Sequence, residues 1–174
     1  MLLSDGTGLS RLAKLAAGIA LVGVLAGCQV RPLYSTGAGT DTKLAAVAIS
    51  EAGDRVEQQV RNDLIFLFAG GAGEPQASIY HLELNVEVRK VDVLTDIRTD
   101  VARAGRIVVS ADYNLTKTES GETLASGKRS TVALVDFPAQ EFAKSRAVRD
   151  AENRAARELA ELIRADVASA LARR

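Results

Sequence analysis

The hydrophobic pattern predicts an α+β fold, a two-layer sandwich in which a four-stranded, mostly antiparallel sheet carries two helices packed on one face. Two stretches, Tyr80–Arg89 and Ile107–Thr116, alternate apolar and polar residues with the period of a half-buried strand. Two others, 54–69 and 140–171, repeat apolar residues at helical spacing. Their order is strand, helix, three strands, helix, which supplies one apolar sheet face and two amphipathic helices to cover it.

The first strand is read at Leu44–Ser50, a short apolar run with Val47 and Ile49 on one face, which Gly53 ends. Asp54 and Glu57 then stand at the positions of a capping box. Val56, Val60, Leu64, Leu67 and Phe68 follow at helical steps. The Gly70-Gly71-Ala72-Gly73-Glu74-Pro75 stretch stops that helix. In the next strand even positions from Tyr80 to Val88 are apolar and odd ones polar, until the alternation slips at Arg89-Lys90. A slip of one residue turns the side chains over, so a β-bulge or the strand end is predicted there. Ile107, Val109, Ala111, Tyr113 and Leu115 line the following strand, and Glu119–Glu122 turns it onto a fourth, from about Leu124 to Phe137. After Pro138 a long helix is predicted over Gln140–Leu171, its stripe formed by Val148, Ala151, Ala155, Leu159, Leu162, Ile163, Val167, Ala170 and Leu171. Arg154 and Glu158, four apart, are expected to pair on its exposed side. The uncovered face of the sheet then carries His81, Glu83, Asn85, Glu87, Ser110, Asp112 and Asn114.

Ahead of this domain stands a different kind of segment. Thirteen consecutive apolar or small residues, Leu15–Gly27, follow Arg11 and Lys14. As a helix they reach roughly 20 Å, short of the ~30 Å hydrocarbon core, so the run reads as an export signal rather than a membrane span. Leu25-Ala26-Gly27-Cys28 has the form of a lipobox, in which the only cysteine of the chain is the nucleophile that takes up a diacylglycerol before cleavage. With no second cysteine an internal disulfide is impossible. The reading is a cleaved lipoprotein signal over 1–27, a lipidated segment and linker over 28–43, and one domain over 44–174. Gln29 rather than Asp after the cysteine favours the outer membrane, facing the periplasm.

Loss of residues 1–27 removes Arg11, Lys14 and Asp5 from totals of 22 Lys and Arg and 22 Asp and Glu, leaving 20 cations against 21 acids. Near neutrality argues against a nucleic-acid partner, which needs a strong basic excess. No catalytic constellation is visible. His81 is the only histidine, no zinc ligand set exists, and Gly70–Gly73 lacks the Lys-Ser or Lys-Thr of a phosphate loop. No cofactor and no metal are expected. Arg89, Lys90, Arg98, Arg103 and Arg106 gather around the connection of the two long strands. Guanidinium groups suit phosphate and carboxylate ligands, although the same charges also read as sheet-edge protection diluted by Asp92, Asp96 and Asp100.

The lipobox followed at once by Arg31-Pro32-Leu33-Tyr34, with this size and element order, resembles the lipopolysaccharide-assembly lipoprotein LptE family, particularly its alphaproteobacterial members. Those often read Cys-Gly-Phe-Arg-Pro-Leu-Tyr, where this chain has Gln29-Val30. The resemblance implies a non-enzymatic lipoprotein that plugs the outer-membrane β-barrel LptD, assists barrel assembly and binds lipopolysaccharide, for which the five basic residues are the candidates. The other reading of the residues is a periplasmic auxiliary lipoprotein of an ABC-type transporter.

Overall fold

The computed structural model describes residues 39–96 and 101–173. The signal segment, Cys28, the Arg31–Tyr34 motif and Arg98 lie outside these residues. Along the described chain run α1 (Thr40–Leu44), β1 (Val47–Ile49), α2 (Arg55–Ala69), β2 (Tyr80–Asp96), β3 (Val101–Lys117), β4 (Thr123–Asp136) and α3 (Glu141–Ala172). The sheet order is β1-β2-β3-β4. β1 runs parallel to β2, and the other pairs are antiparallel. This is the predicted α+β layout with one short helix added: the expected first strand begins at Val47, and Leu44 is buried from α1 instead.

Each helix is made by local chemistry and kept by burial. The Asp54 carboxylate accepts from the Val56 and Glu57 N–H groups (2.8 and 2.9 Å), capping α2. Glu57 turns back to the Gly53 N–H (2.7 Å), and its other oxygen accepts from the Val86 N–H of β2 (3.2 Å). Just before it, Ser50 Oγ accepts from the Leu84 N–H (3.0 Å). Two side chains thereby continue along β2 where the three-residue β1 stops. Glu57→Ala removes both helix and strand partners, and urea unfolding is expected to show a loss of about 1 kcal/mol. Gly70, at φ +59°, closes α2 in the left-handed conformation that a side chain disfavours.

The apolar face of the sheet, with Leu82, Leu84, Ile107, Val109 and Leu115, packs under Val60 and Leu64 of α2 and Leu159, Ile163 and Val167 of α3. Ala155, Ala156, Ala160 and Ala168 are fully buried, and such small residues let the α3 backbone approach its neighbours closely. Leu162, expected in the apolar stripe, is 40% exposed. Arg154 pairs with Asp150 (2.9 Å) rather than Glu158, and its Nη2 donates to the Leu134 carbonyl of β4 (3.0 Å).

The predicted bulge at Arg89-Lys90 is corrected. Pairing there is unbroken, Arg89 to Val108 and Lys90 to Ile107, and the register shifts occur between Asp92 and Leu94 and between Leu94 and Thr95. The first leaves Val93 as the extra residue on β2; the second leaves Arg103 as the extra residue on β3. The polar residue at an apolar position has another cause: the Lys90 ammonium lies 4.5 Å from the centre of the Phe137 ring.

Candidate functional site

The face of the sheet turned away from the helices is built from alternate residues of three long strands. Cross-strand pairing gives it rows. Glu87, Ser110 and Ser130 form one row, and Arg89, Val108 and Val132 the next. Val91, Arg106 and Leu134 form the row beyond. The surface therefore changes character along the strands. Its first half is hydrophilic, with Ser110 donating to Ser130 (3.1 Å) and Lys128 paired to Asp112 (2.9 Å). Its second half sets Arg89 and Arg106 beside an apolar band in which Val132 is half-exposed and Leu134 is 71% exposed.

The basic candidates among the described residues do not share one face. Arg89 and Arg106 share the outer face on neighbouring strands, each diagonal to the other. Lys90, adjacent in sequence to Arg89, must point the opposite way, and it covers Phe137 on the helix side and lies 3.9 Å from Asp92. Arg103 occupies the β3 bulge, where its carbonyl accepts from the Phe137 N–H (2.8 Å). Arg98 and Cys28 lie outside the described residues. His81 is exposed on the hydrophilic half, and among the described residues no group of three or more His, Cys, Asp or Glu is placed to hold a metal ion.

The apolar band was not singled out from the sequence, yet it left a signal. Thr131-Val132-Ala133-Leu134-Val135 has no polar alternation, the pattern of a strand whose two faces are both apolar. The helices cover Thr131, Ala133 and Val135; nothing among the described residues covers Val132 and Leu134.

Behind this face a polar clamp holds β3 and β4 to the long helix. Asp166 of α3 accepts from the Tyr113 hydroxyl (2.7 Å) and from Nε and Nη2 of Arg129 (2.7 and 2.8 Å). Burial, reinforced by the Asp166 hydrogen bond, pushes the Tyr113 phenol up to about 12. The Arg129 hydrogen bonds hold the Asp166 carboxyl below its ordinary range. Gly127 faces Tyr113 in the register, and a Cβ there would stand 2.8 Å from the phenol oxygen. The clamp is saturated, so it positions the sheet rather than offering a reactive group. What the outer face presents is two guanidiniums beside a greasy strip, a surface suited to an amphiphile with anionic groups at its head.

A family model described as LptE, lipopolysaccharide-assembly, matches residues 43–167. The crystal structure of a lipoprotein from Caulobacter crescentus is similar at 26% identity, with a TM-score of 0.64 over 75% of this chain and 93% of that one. Rare lipoprotein B from Shewanella oneidensis shares the fold at 15% identity, with a TM-score of 0.50 over 71% of this chain and 92% of that one. No curated relative matches the chain.

Proposed function

Because the chain belongs to the LptE lipopolysaccharide-assembly family, and is thus a non-enzymatic assembly lipoprotein, we propose that it acts as the plug of an LptD-type outer-membrane barrel and meets lipopolysaccharide on its outer sheet face. The observation that carries the second half is the juxtaposition of Arg89 and Arg106 with Val132 and Leu134. Lipid A combines phosphates with acyl chains, and this half of the face offers a partner for each: bidentate guanidiniums for phosphate, apolar side chains for hydrocarbon. Lys90 and Arg103 extend the basic set at the same end of the β2–β3 ribbon, and Arg98 falls in the sequence between the two strands. Lipidation at Cys28 anchors the domain to the periplasmic side of the outer membrane and raises its effective concentration beside the barrel. The polar lumen of such barrels accepts a compact domain with a hydrophilic surface.

Two measurements test this reading. Arg89→Glu with Arg106→Glu is expected to weaken lipopolysaccharide binding in a salt-dependent way while changing unfolding stability by less than about 1 kcal/mol, because both side chains are at the surface. Unchanged binding removes the outer face from the mechanism. Co-purification of the tagged chain in mild detergent is expected to bring down the barrel. Recovery of a transporter permease instead supports the auxiliary-lipoprotein reading and ends this one.

A further inference from the structure

The long helix carries a second surface that neither the sheet face nor the family assignment explains. α3 begins ten residues before its first fully buried residue, Ala151. Along this exposed stretch and just beyond, Phe142, Arg146, Arg149, Asn153 and Arg157 recur at steps of four, three, four and four, which places them on one stripe. Phe142 is 73% exposed, the largest exposure of any large apolar side chain among the described residues. The Arg146 guanidinium lies 5.8 Å from its ring centre. Arg149 and Arg157 have no carboxylate partner among the described residues. Of the acids flanking the stripe, Glu141 pairs with Lys144, Asp150 with Arg154 and Glu152 with Arg55. An open cleft of about 510 Å³ runs along it, lined by Phe142, Ser145, Arg146, Arg149, Asp150 and Asn153. Past Arg157 the sign changes, where Asp63, Glu158 and Glu161 rim the groove beside Phe66.

We infer that the stripe Phe142–Arg146–Arg149, continued by Arg157, is a docking surface for an anionic phospholipid bilayer. The chemistry follows from the residues. An exposed aromatic side chain beside unpaired guanidiniums is the composition by which an interfacial helix inserts one group below the headgroups and leaves the others among the phosphates. A shallow, open helix face of this kind meets an extended lipid surface more readily than it encloses a small anion. Arginine keeps its charge there and binds phosphate in two-point fashion. The inference does not require the anchor at Cys28, which acts only by bringing the stripe near a membrane.

The chain contains no tryptophan, so Phe142→Trp in the full chain provides a single reporter. In vesicles of phosphatidylcholine with phosphatidylglycerol, its emission is expected to shift to the blue and to be quenched by brominated acyl chains. In vesicles of phosphatidylcholine alone it stays water-like. Arg146→Gln with Arg149→Gln is expected to reduce the docked population roughly 25-fold, about fivefold for each cation removed. Leu134→Trp, on the outer sheet face, serves as the comparison and stays water-like on both vesicles. Ser145→Trp, lining the same cleft, repeats the measurement with Phe142 in place. Water-like emission at both positions 142 and 145 on phosphatidylglycerol vesicles overturns the inference. So does a shift equal on neutral vesicles, or one that appears only with lipopolysaccharide micelles or an added acidic protein. A shift of the Leu134→Trp reporter with lipopolysaccharide tests the sheet face separately, so the two readings fail independently.

Discussion

Gly105→Val is expected to lower the unfolding free energy by about 3 kcal/mol, at the upper end of ordinary overpacking. Gly105 lies on the helix side of β3, and a Cβ placed on it would stand 2.6 and 2.8 Å from Cζ and Cε2 of the Phe137 ring and 2.9 Å from the Val91 carbonyl oxygen. The ring is itself held, buried at the end of β4 with the Lys90 and Lys144 ammonium groups 4.5 and 5.6 Å from its centre. The carbonyl belongs to the paired backbone of β2 and has little room to retreat. Valine's preference for strands is worth less than about 1 kcal/mol and does not offset this. Urea unfolding measures the loss. Adding Phe137→Ala, which itself opens a cavity, is expected to show a favourable coupling with Gly105→Val in a double-mutant cycle. A loss below about 0.5 kcal/mol, or strict additivity, means the ring does not press on Gly105 as described.

Asp166→Asn is expected to cost about 2 kcal/mol, the usual range for breaking hydrogen bonds to a charged group. Its signature is a pH profile as much as a magnitude. The folded protein holds the Asp166 carboxyl below its ordinary 3.8, so the stabilisation is fully present above that value and is lost as pH falls through the lower folded one. Acid unfolding of the parent is therefore steeper below about pH 4 than that of Asp166→Asn, which lacks the titrating group. At the alkaline end the sign is the complement. Tyr113 is raised from 10.0 to about 12, so its neutral form contributes stability below pH 10.0 that is lost as pH rises through about 12. Phenolate absorbance from Tyr113 is expected only in that upper range. Parallel acid profiles for parent and variant place the stabilisation elsewhere than the carboxylate.

The legible parts of the fold are those where one face is buried. Leu82, Leu84 and Val86 alternate with exposed Glu83, Asn85 and Glu87 because helices cover only one side, and a period of two follows directly. Beyond the helices this constraint lapses. Asp92 and Val93 are both exposed, so no buried face keeps the strand in phase there, and the bulges at Val93 and Arg103 left no mark in the pattern, while Lys90 left a misleading one. Glu57 was readable as half of a capping box, but its bond to the Val86 N–H joins residues 29 apart and needs the fold to exist first. The basic cluster shows the same limit: proximity in sequence drew Arg89 and Lys90 together, and strand geometry sends them to opposite faces. The Tyr113, Asp166 and Arg129 clamp spans three elements and had no local signature.

The side chains that close the edges of the sheet have a further consequence. Ser50 and Glu57 occupy amides of β2 beyond the end of β1, and Arg154 occupies the Leu134 carbonyl on β4. Those groups would otherwise be templates on which a second chain adds a strand, the first step towards fibrous growth. Besides their part in folding stability, the three side chains therefore withdraw edge groups from strand addition by a second chain.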